Sequence, residues 1–319
     1  MAKVLVTGGL GAVGSVLVKE LRAHGHDTWI VDLPHHNDRQ YLRCDVGEFR
    51  QVEQLFMSDG WARGYFSKRH EFDFVYHLAA EFGRWNGEDF YDTLWRSNAV
   101  GTKNILSMQE RYEFRGIYFS SSEVYGDYDG LMSEDVLDNI PIKQMNDYAI
   151  SKWVNEMQVL NSAAMHGTES VRVRLFNTYG PGEPYSPYRS VICLFCYSAL
   201  NGMPFKVYRG HHRTSTYITD TVRTLANICE SFMPGEVYNI GGLDYHDIET
   251  VAQLVIKYSG CNPSLAEYCD PEPFTTISKK VDCVKAVQHL GHKSTVGLEE
   301  GIKKTIDWMR HYYRVGEKI

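Results

Sequence analysis

The chain has 319 residues, 33 of them basic and 40 acidic, for a formal charge of −7. With 43% hydrophobic and 23% charged residues it has ordinary globular composition and the length to bury a core without disulfides or a metal. The negative balance excludes a protein that grips nucleic acid through its phosphates, and no run reaches the roughly 18 apolar residues that a membrane span requires.

Taken in chain order, the first element is a strand at Lys3–Thr7, which leads directly into a glycine-rich turn rather than a signal peptide. The turn, Thr7-Gly8-Gly9-Leu10-Gly11-Ala12-Val13-Gly14, opens a helix predicted over Ala12–His24. Glycines there let the backbone approach a pyrophosphate, which the amides and dipole of the helix stabilise. A plain strand–helix turn would read the same. The second strand, Thr28–Val31, ends at Asp32, 18 positions beyond Gly14. A carboxylate there accepts hydrogen bonds from ribose hydroxyls and repels a 2′-phosphate, which favours NAD over NADP. Asp45 and Val46 follow the third strand position, where Asp45 faces an adenine amino group or caps a surface turn. A helix is expected at Phe49–Phe56 and a strand at Phe74–Leu78, and Leu78-Ala79-Ala80 then offers small side chains for close approach of a cofactor or for tight packing.

Helix Thr93–Tyr112 precedes strand Ile117–Ser120, and Ser120-Ser121-Ser122-Glu123 stands at that strand's C-terminal end, where open α/β sheets bind ligands. A serine-rich turn capping the next helix is the plainer alternative. In the helix predicted over Tyr148–Met165, Tyr148 and Lys152 share one face. A phenol titrates near 10. A lysine cation within about 4–6 Å lowers that value and makes the phenol a usable base. Strand Val171–Leu175 completes five strands separated by helices, the pattern of a doubly wound parallel sheet. After Tyr179 the rhythm breaks at Gly180-Pro-Gly-Glu-Pro184, and helices follow at Asp220–Glu230, Ile248–Ser259, Val281–His289 and Leu298–Tyr313. The expected organisation is a Rossmann-type α/β dinucleotide domain over 1–178 and a smaller mixed α/β substrate region over 179–319, some elements of which return to the first.

Seven scattered cysteines include one close pair, Cys193 and Cys196, inside the apolar run Val191–Leu200. Without a second Cys-x-x-Cys or a histidine cluster the pair reads as buried thiols rather than a zinc site, and no metal is expected. Reduced thiols point to the cytoplasm.

Together these motifs resemble the extended short-chain dehydrogenase/reductases that rework nucleotide-activated sugars: 4-epimerases, 4,6-dehydratases and UDP-glucuronate decarboxylases. The resemblance runs nearly end to end. It also covers Asn98 in Ser97-Asn-Ala-Val-Gly-Thr102, Arg174-Leu-Phe-Asn-Thr-Tyr-Gly-Pro-Gly182, Arg213 seven residues before Asp220, and Tyr238-Asn-Ile-Gly-Gly242. It implies NAD as cofactor and a nucleotide-diphosphate sugar as substrate, with Ser121, Tyr148 and Lys152 removing hydride from sugar C4 and Asn98 at the cofactor. It implies Asn177 and Arg213 on the diphosphate, Phe205 and Tyr208 around the nucleobase, and a homodimer paired through the helices at Thr93–Tyr112 and Tyr148–Met165. Glu81 and Arg84 either touch the hexose or belong to a charged surface loop. Glu123 preceded by Ser122 resembles the decarboxylases and the GDP-mannose type of dehydratase, so the expected outcome is of lyase type. The alternatives are 4-epimerisation, a dehydrogenase releasing NADH, or a non-catalytic NAD-binding protein.

Overall fold

The structure is a computed structural model that describes residues 1–57, 71–242 and 244–315. The chain divides into two compact units and passes between them several times. The first comprises Met1–Val124, Asp147–Arg174 and Leu225–Tyr238; the second comprises Tyr125–Asn146, Leu175–Thr224 and Asn239–Ile319.

A seven-stranded sheet is built from β1 (Lys3–Thr7), β2 (Asp27–Asp32), β3 (Tyr41–Arg43), β4 (Phe74–His77), β5 (Arg115–Ser121), β6 (Ser170–Leu175) and β7 (Val237–Ile240), in the order β7-β6-β5-β4-β1-β2-β3. The pairs β1–β2, β2–β3, β1–β4 and β4–β5 are all parallel. Strand order reverses between β1 and β4, so their C-terminal ends diverge into the crevice where doubly wound sheets take ligands. The covering helices of this unit are α1 (Ala12–Ala23), α2 (Phe49–Phe56), α3 (Gly101–Tyr112) and α4 (Asp147–His166). Leu5, Val31 and Val75 of the sheet pack against Val52 and Phe56 of α2 and Ile105 and Leu106 of α3 in one core cluster. Phe56 stacks on Phe114 at 5.3 Å. Burying side chains of this size stabilises the fold by about 1.5–3 kcal/mol each before entropy is charged.

The long helix expected at Thr93–Tyr112 is three pieces: an α-helical turn at Tyr91–Trp95, a π-helical turn at Arg96–Val100, and α3. The wider turn lengthens the helical repeat locally and buries Asn98 and Ala99. The segment expected as a loop at 81–87 contains a short helix, Arg84–Asp89.

In the second unit α5 (Val191–Leu200), α6 (Ile218–Ala226, whose last two residues fall in the first unit), α7 (Ile248–Ser259) and α8 (Leu298–Tyr312) accompany short strand pairs such as Phe205–Tyr208 with Ala266–Cys269. The helix at Val191–Leu200 is not anticipated by the sequence pattern. It buries Ile192, Cys193, Phe195, Cys196 and Ala199, and both thiols of the close cysteine pair are free and buried. Burial pushes both well above the ordinary thiol range.

Two of the motif residues are structural ties within this unit. Asp220, fully buried, accepts from Thr295 N and Oγ1 and from Val296 N. Asn239 of the Tyr-Asn-Ile-Gly-Gly run takes its backbone N–H to Glu134, accepts from the Tyr125 hydroxyl, and donates to Met132 O. Among the described residues no helix is long and apolar enough to cross a membrane.

Candidate active site

The glycine-rich turn lies at the C-terminal end of β1. Gly8 adopts φ +69°, donates its N–H to Val31 O at 2.8 Å and accepts from Gly11 N at 3.0 Å. A Cβ on Gly8 would stand 2.7 Å from Ala79 N, and one on Gly14 would stand 2.1 Å from Gly8 O. The turn therefore closes only with glycine at both positions, and it brings Ala79, at the end of β4, against the loop. Helix α1 starts at Ala12 with Gly11 as N-cap and no side-chain cap, so Ala12 and Val13 lie in a first turn whose amides are left to a ligand or solvent.

Asp32 ends β2 and is held on both oxygens: Oδ2 accepts from Leu10 N at 2.9 Å and Oδ1 from Leu33 N at 2.8 Å. Its carboxylate is thus fixed at the rim of the turn. These features fit a dinucleotide: a loop that a Cβ would fill, an uncapped helix N-terminus for the pyrophosphate, and a positioned carboxylate for the ribose. Asp45 accepts from Gly47 N at 2.9 Å in the turn before α2, and Val46 is buried, its carbonyl accepting from Asn104 at 2.8 Å.

Sequence reasoning did not single out the buried chain beneath Ala79. Thr7 Oγ1 and His77 Nδ1 are 2.8 Å apart, His77 Nε2 and Thr102 Oγ1 3.2 Å, and Ala79 N donates to Thr7 Oγ1 at 3.2 Å. Burial, with the Lys152 cation nearby, drives the His77 imidazole down to about 3, so it is neutral. Leu78 N continues the ladder to Thr7 O at 3.1 Å, and Ala80 follows. Asn98 accepts from Glu81 N at 2.9 Å and donates to Glu81 O at 3.0 Å and to Ser151 Oγ at 2.9 Å. Its amide is spent on fixing the segment after β4. Glu81 also accepts from Asn86 at 2.6 Å, while Arg84 pairs with Glu88 at 2.7 Å and lies over the Trp85 ring.

The end of β5 and the start of α4 bring together Ser121, Glu123, Tyr148 and Lys152. The Ser121 side chain acts on the buried Tyr148 phenol and favours its ionised form. Ser121 Oγ accepts from Glu123 N at 3.2 Å, and Ser122 is buried beside them. Lys152, 5% exposed, donates from Nζ to Phe119 O at 3.0 Å and lies 6.0 Å from the Tyr148 ring centroid.

Lys152 is expected to lower the phenol, yet in the fold burial is the larger influence. Burial raises the Tyr148 phenol to about 12, with the Glu123 charge adding to the rise and the Ser121 side chain opposing it. Burial also brings Lys152 down to about 8. Desolvation outweighs the attraction across this separation.

One further turn along α4, Glu156 is buried against Arg174, Arg172 and Ser120. The signal for it was present as Tyr-x-x-x-Lys-x-x-x-Glu, but its partners on β6 were not inferable. A polar pocket inside this unit is lined by His77, Thr102, Ser120, Lys152, Asn155 and Arg172 among others.

The remaining expected residues lie in the second unit. Asn177 has φ +21° and its side-chain Oδ1 is buried with no hydrogen-bond partner among the described residues. Arg213, 9% exposed, donates from Nη1 to His212 O at 2.8 Å and Ile277 O at 3.0 Å. Its neighbour His211 is brought down to about 4 by burial and the Arg213 charge. Tyr208 is half-buried with its ring edge on His211. Phe205 is buried inside the unit against Phe195, ring centroids 4.7 Å apart.

Comparison with known proteins agrees with this fold. The model of the NAD dependent epimerase/dehydratase family matches residues 4–241. A UDP-N-acetyl-alpha-D-glucosaminuronate decarboxylase of Bacillus cytotoxicus is 32% identical over 315 residues, covering 96% of this chain and 97% of that protein. An epimerase from Methanothermobacter thermautotrophicus superposes with a TM-score of 0.86 at 25% identity, covering 98% of this chain and 93% of the other. MoeE5, solved in complex with UDP-glucuronic acid and NAD, superposes with a TM-score of 0.83 at 26% identity, covering 97% of this chain and 99% of the other.

Proposed function

The chain belongs to the NAD dependent epimerase/dehydratase family, and from that premise we propose that it converts a nucleotide-diphosphate sugar through a 4-keto intermediate with an outcome of lyase type. NAD is the cofactor, and when bound it would supply a hydride acceptor for C4 that is restored within the turnover. The observation that carries the reading is the buried Tyr148 phenol, on which Ser121 and Glu123 both act, with Lys152 on the same helix face.

Ser121 holds the C4 oxygen while Tyr148 takes the C4 hydroxyl proton and later returns it. The Lys152 cation steadies the phenolate. A 4-keto group beside a C6 carboxylate lets the C5–C6 bond break with its electrons drawn toward the ketone, releasing carbon dioxide, and Glu123 is the group we assign to proton transfer at C5. Ser122 suffices beside it because no hydroxyl departs. The decarboxylase relative and the neighbour carrying UDP-glucuronic acid support this outcome. The epimerase neighbour supports 4-epimerisation as the second reading.

In the first unit we assign Gly8, Gly11–Gly14, Asp32, Asp45, Val46 and Leu78–Ala80 to the NAD side, with Asn98 serving it through the segment after β4 that it fixes. Glu81, Arg84 and Ser122 go to the sugar, and in the second unit Asn177, Phe205, Tyr208 and Arg213 to the nucleotide. We read the protein as a cytoplasmic homodimer. Seven free thiols support a reducing compartment, and Ile150, Met157 and Leu160, each nearly two-fifths exposed on α4, support pairing of helices.

The test incubates the NAD-loaded protein with UDP-glucuronic acid and a panel of UDP-, dTDP-, GDP- and CDP-hexoses and weighs the products. Loss of carbon dioxide supports decarboxylation, loss of water dehydration, and an unchanged mass with a new sugar epimerisation. Stoichiometric NADH release contradicts recycling of NAD.

A further inference from the structure

The buried hydrogen bonds beneath Ala79 run in one direction. Ala79 N donates to Thr7 Oγ1 at 3.2 Å. Thr7 is fully buried, and its hydroxyl has one other partner among the described residues, His77 Nδ1 at 2.8 Å. The hydroxyl hydrogen therefore goes to that ring nitrogen. On the far side of the ring, Nε2 meets Thr102 Oγ1 at 3.2 Å. Thr102 Oγ1 also lies 3.1 Å from the side-chain oxygen of Asn155, whose amide nitrogen donates to Asn98 O at 3.1 Å and to Ser151 O at 3.0 Å. Two carbonyls thus set the Asn155 amide, so Thr102 donates to Asn155 and accepts from His77.

Both ends impose the same tautomer, a bare Nδ1 and a protonated Nε2. The other tautomer would leave the Thr7 hydroxyl hydrogen and the Nε2 lone pair buried without partners, a state that buried polar groups rarely occupy. A charged ring would place a second cation near Lys152, and burial keeps the ring neutral. A parallel path runs beside this one. Asn98 holds Glu81 N and O and donates to Ser151 Oγ. The two paths meet at Ser151, the residue before Lys152 on α4.

We infer that His77, as the Nε2–H tautomer, is a positioning residue for the cofactor. Through Thr7 it fixes the Ala79 amide against the glycine turn, and through Thr102 and Asn155 it registers that segment with the helix that carries Tyr148 and Lys152. The contact it controls has no slack: a Cβ on Gly8 would stand 2.7 Å from Ala79 N. A shift of Ala79 is therefore passed to Gly8 and to the amides of the turn. His77, Ala79, Thr102, Asn155 and Lys152 also line one polar pocket, so the path passes beside the ammonium itself.

This role rests on the glycine turn holding NAD, yet its first measurement needs no cofactor. Protein labelled with 15N at histidine is read by proton–nitrogen NMR near neutral pH, and the His77 signals are those missing from His77→Asn. The expected pattern is a bare Nδ1 and a protonated Nε2. NADH is then titrated by fluorescence. His77→Phe, which breaks the path at its centre, binds about 10-fold more weakly than wild type. His77→Asn, whose amide oxygen can accept from Thr7 in place of Nδ1, recovers most of that loss. Tyr118→Phe is the structural control. It deletes the hydrogen bond from the Tyr118 hydroxyl to Gln109 Oε1 at 2.9 Å in the same unit, so it lowers the unfolding temperature and keeps the wild-type affinity.

A proton on Nδ1, or equal affinity of wild type and folded His77→Phe, overturns the positioning role. So does a loss in Tyr118→Phe as large as that in His77→Phe, because affinity would then follow stability alone. If His77→Phe does not fold, Thr7→Val, which removes the acceptor of the Ala79 N–H at nearly constant shape, decides by the same affinity criterion. A wild type that fails to bind NADH removes the cofactor reading and this role with it, whereas binding by wild type and His77→Phe alike removes this role alone.

Discussion

Replacing Gly14 by alanine tests the cofactor turn against its own geometry. The added methyl would sit 2.1 Å from Gly8 O, 2.9 Å from Gly9 Cα and 3.0 Å from Gly8 C. Non-bonded heavy atoms settle near 3.5 Å, so the turn must open by more than about 1 Å. All three obstructing atoms are backbone, and Gly8 is itself pinned by Val31 O and Gly11 N. Overpacking of this kind costs about 1–3 kcal/mol of stability. The same displacement misaligns the first amides of α1, and loss of about 1.4–2.8 kcal/mol of binding weakens NAD about 10- to 100-fold.

Gly25→Ala is the control. Gly25 also has positive φ, +82°, but nothing lies within 4 Å of the position an alanine methyl would take there, so it loses about 1 kcal/mol of stability through backbone strain alone and keeps its NAD affinity. Fluorescence titration with NADH and thermal unfolding read both quantities. Wild-type affinity in Gly14→Ala, or an equal loss of affinity in Gly25→Ala, would refute the placement of the pyrophosphate on this turn.

Three other outcomes are expected. Because the folded value of Lys152 lies near 8, below the ordinary 10.5, burying its charge costs stability at neutral pH and that cost fades as pH rises from about 8 to 10.5. Lys152→Met therefore gains about 1–3 kcal/mol at pH 7 by urea unfolding while activity is lost, and its stability no longer rises across that window. His77, near 3 in the fold against 6.5 outside it, contributes stability that is present above pH 6.5 and is lost as pH falls toward 3. His77→Asn flattens that acid limb by roughly 5 kcal/mol relative to wild type, read by unfolding at stepped pH. If the proposed dimer pairs through the exposed apolar stripe of α4, Met157→Glu turns a wild-type dimer into a monomer by sedimentation equilibrium; a dimeric Met157→Glu refutes that pairing.

Much of the first unit was legible in the sequence because its signals are local. The strand Lys3–Thr7 and the helix Phe49–Phe56 fall where periodicity put them, as does Ile248–Ser259 in the second unit. The π-helical turn at Arg96–Val100 was not legible, since one extra residue in a helical turn leaves the apolar spacing nearly unchanged. Helix Val191–Leu200 was missed because it is apolar on every side, and a buried helix without a polar face shows no 3.6-residue rhythm. The Tyr148–Lys152 pair was visible from its spacing, whereas its electrostatics were not: the upward shift of the phenol comes from burial, which only the packed chain supplies. The same holds for Glu156 with Arg174, 18 positions apart and joined only when α4 lies on β6.

The central claim is that Tyr148 drives a C4 oxidation and reduction in which NAD is recycled. Wild type and Tyr148→Phe, both loaded with NAD, are given UDP-glucuronic acid and followed by product mass and NADH absorbance together. The account predicts a product lighter by carbon dioxide with no net NADH from wild type, and turnover reduced by about 10²–10⁴-fold in Tyr148→Phe with NAD binding retained. Equal turnover by the two proteins would contradict it.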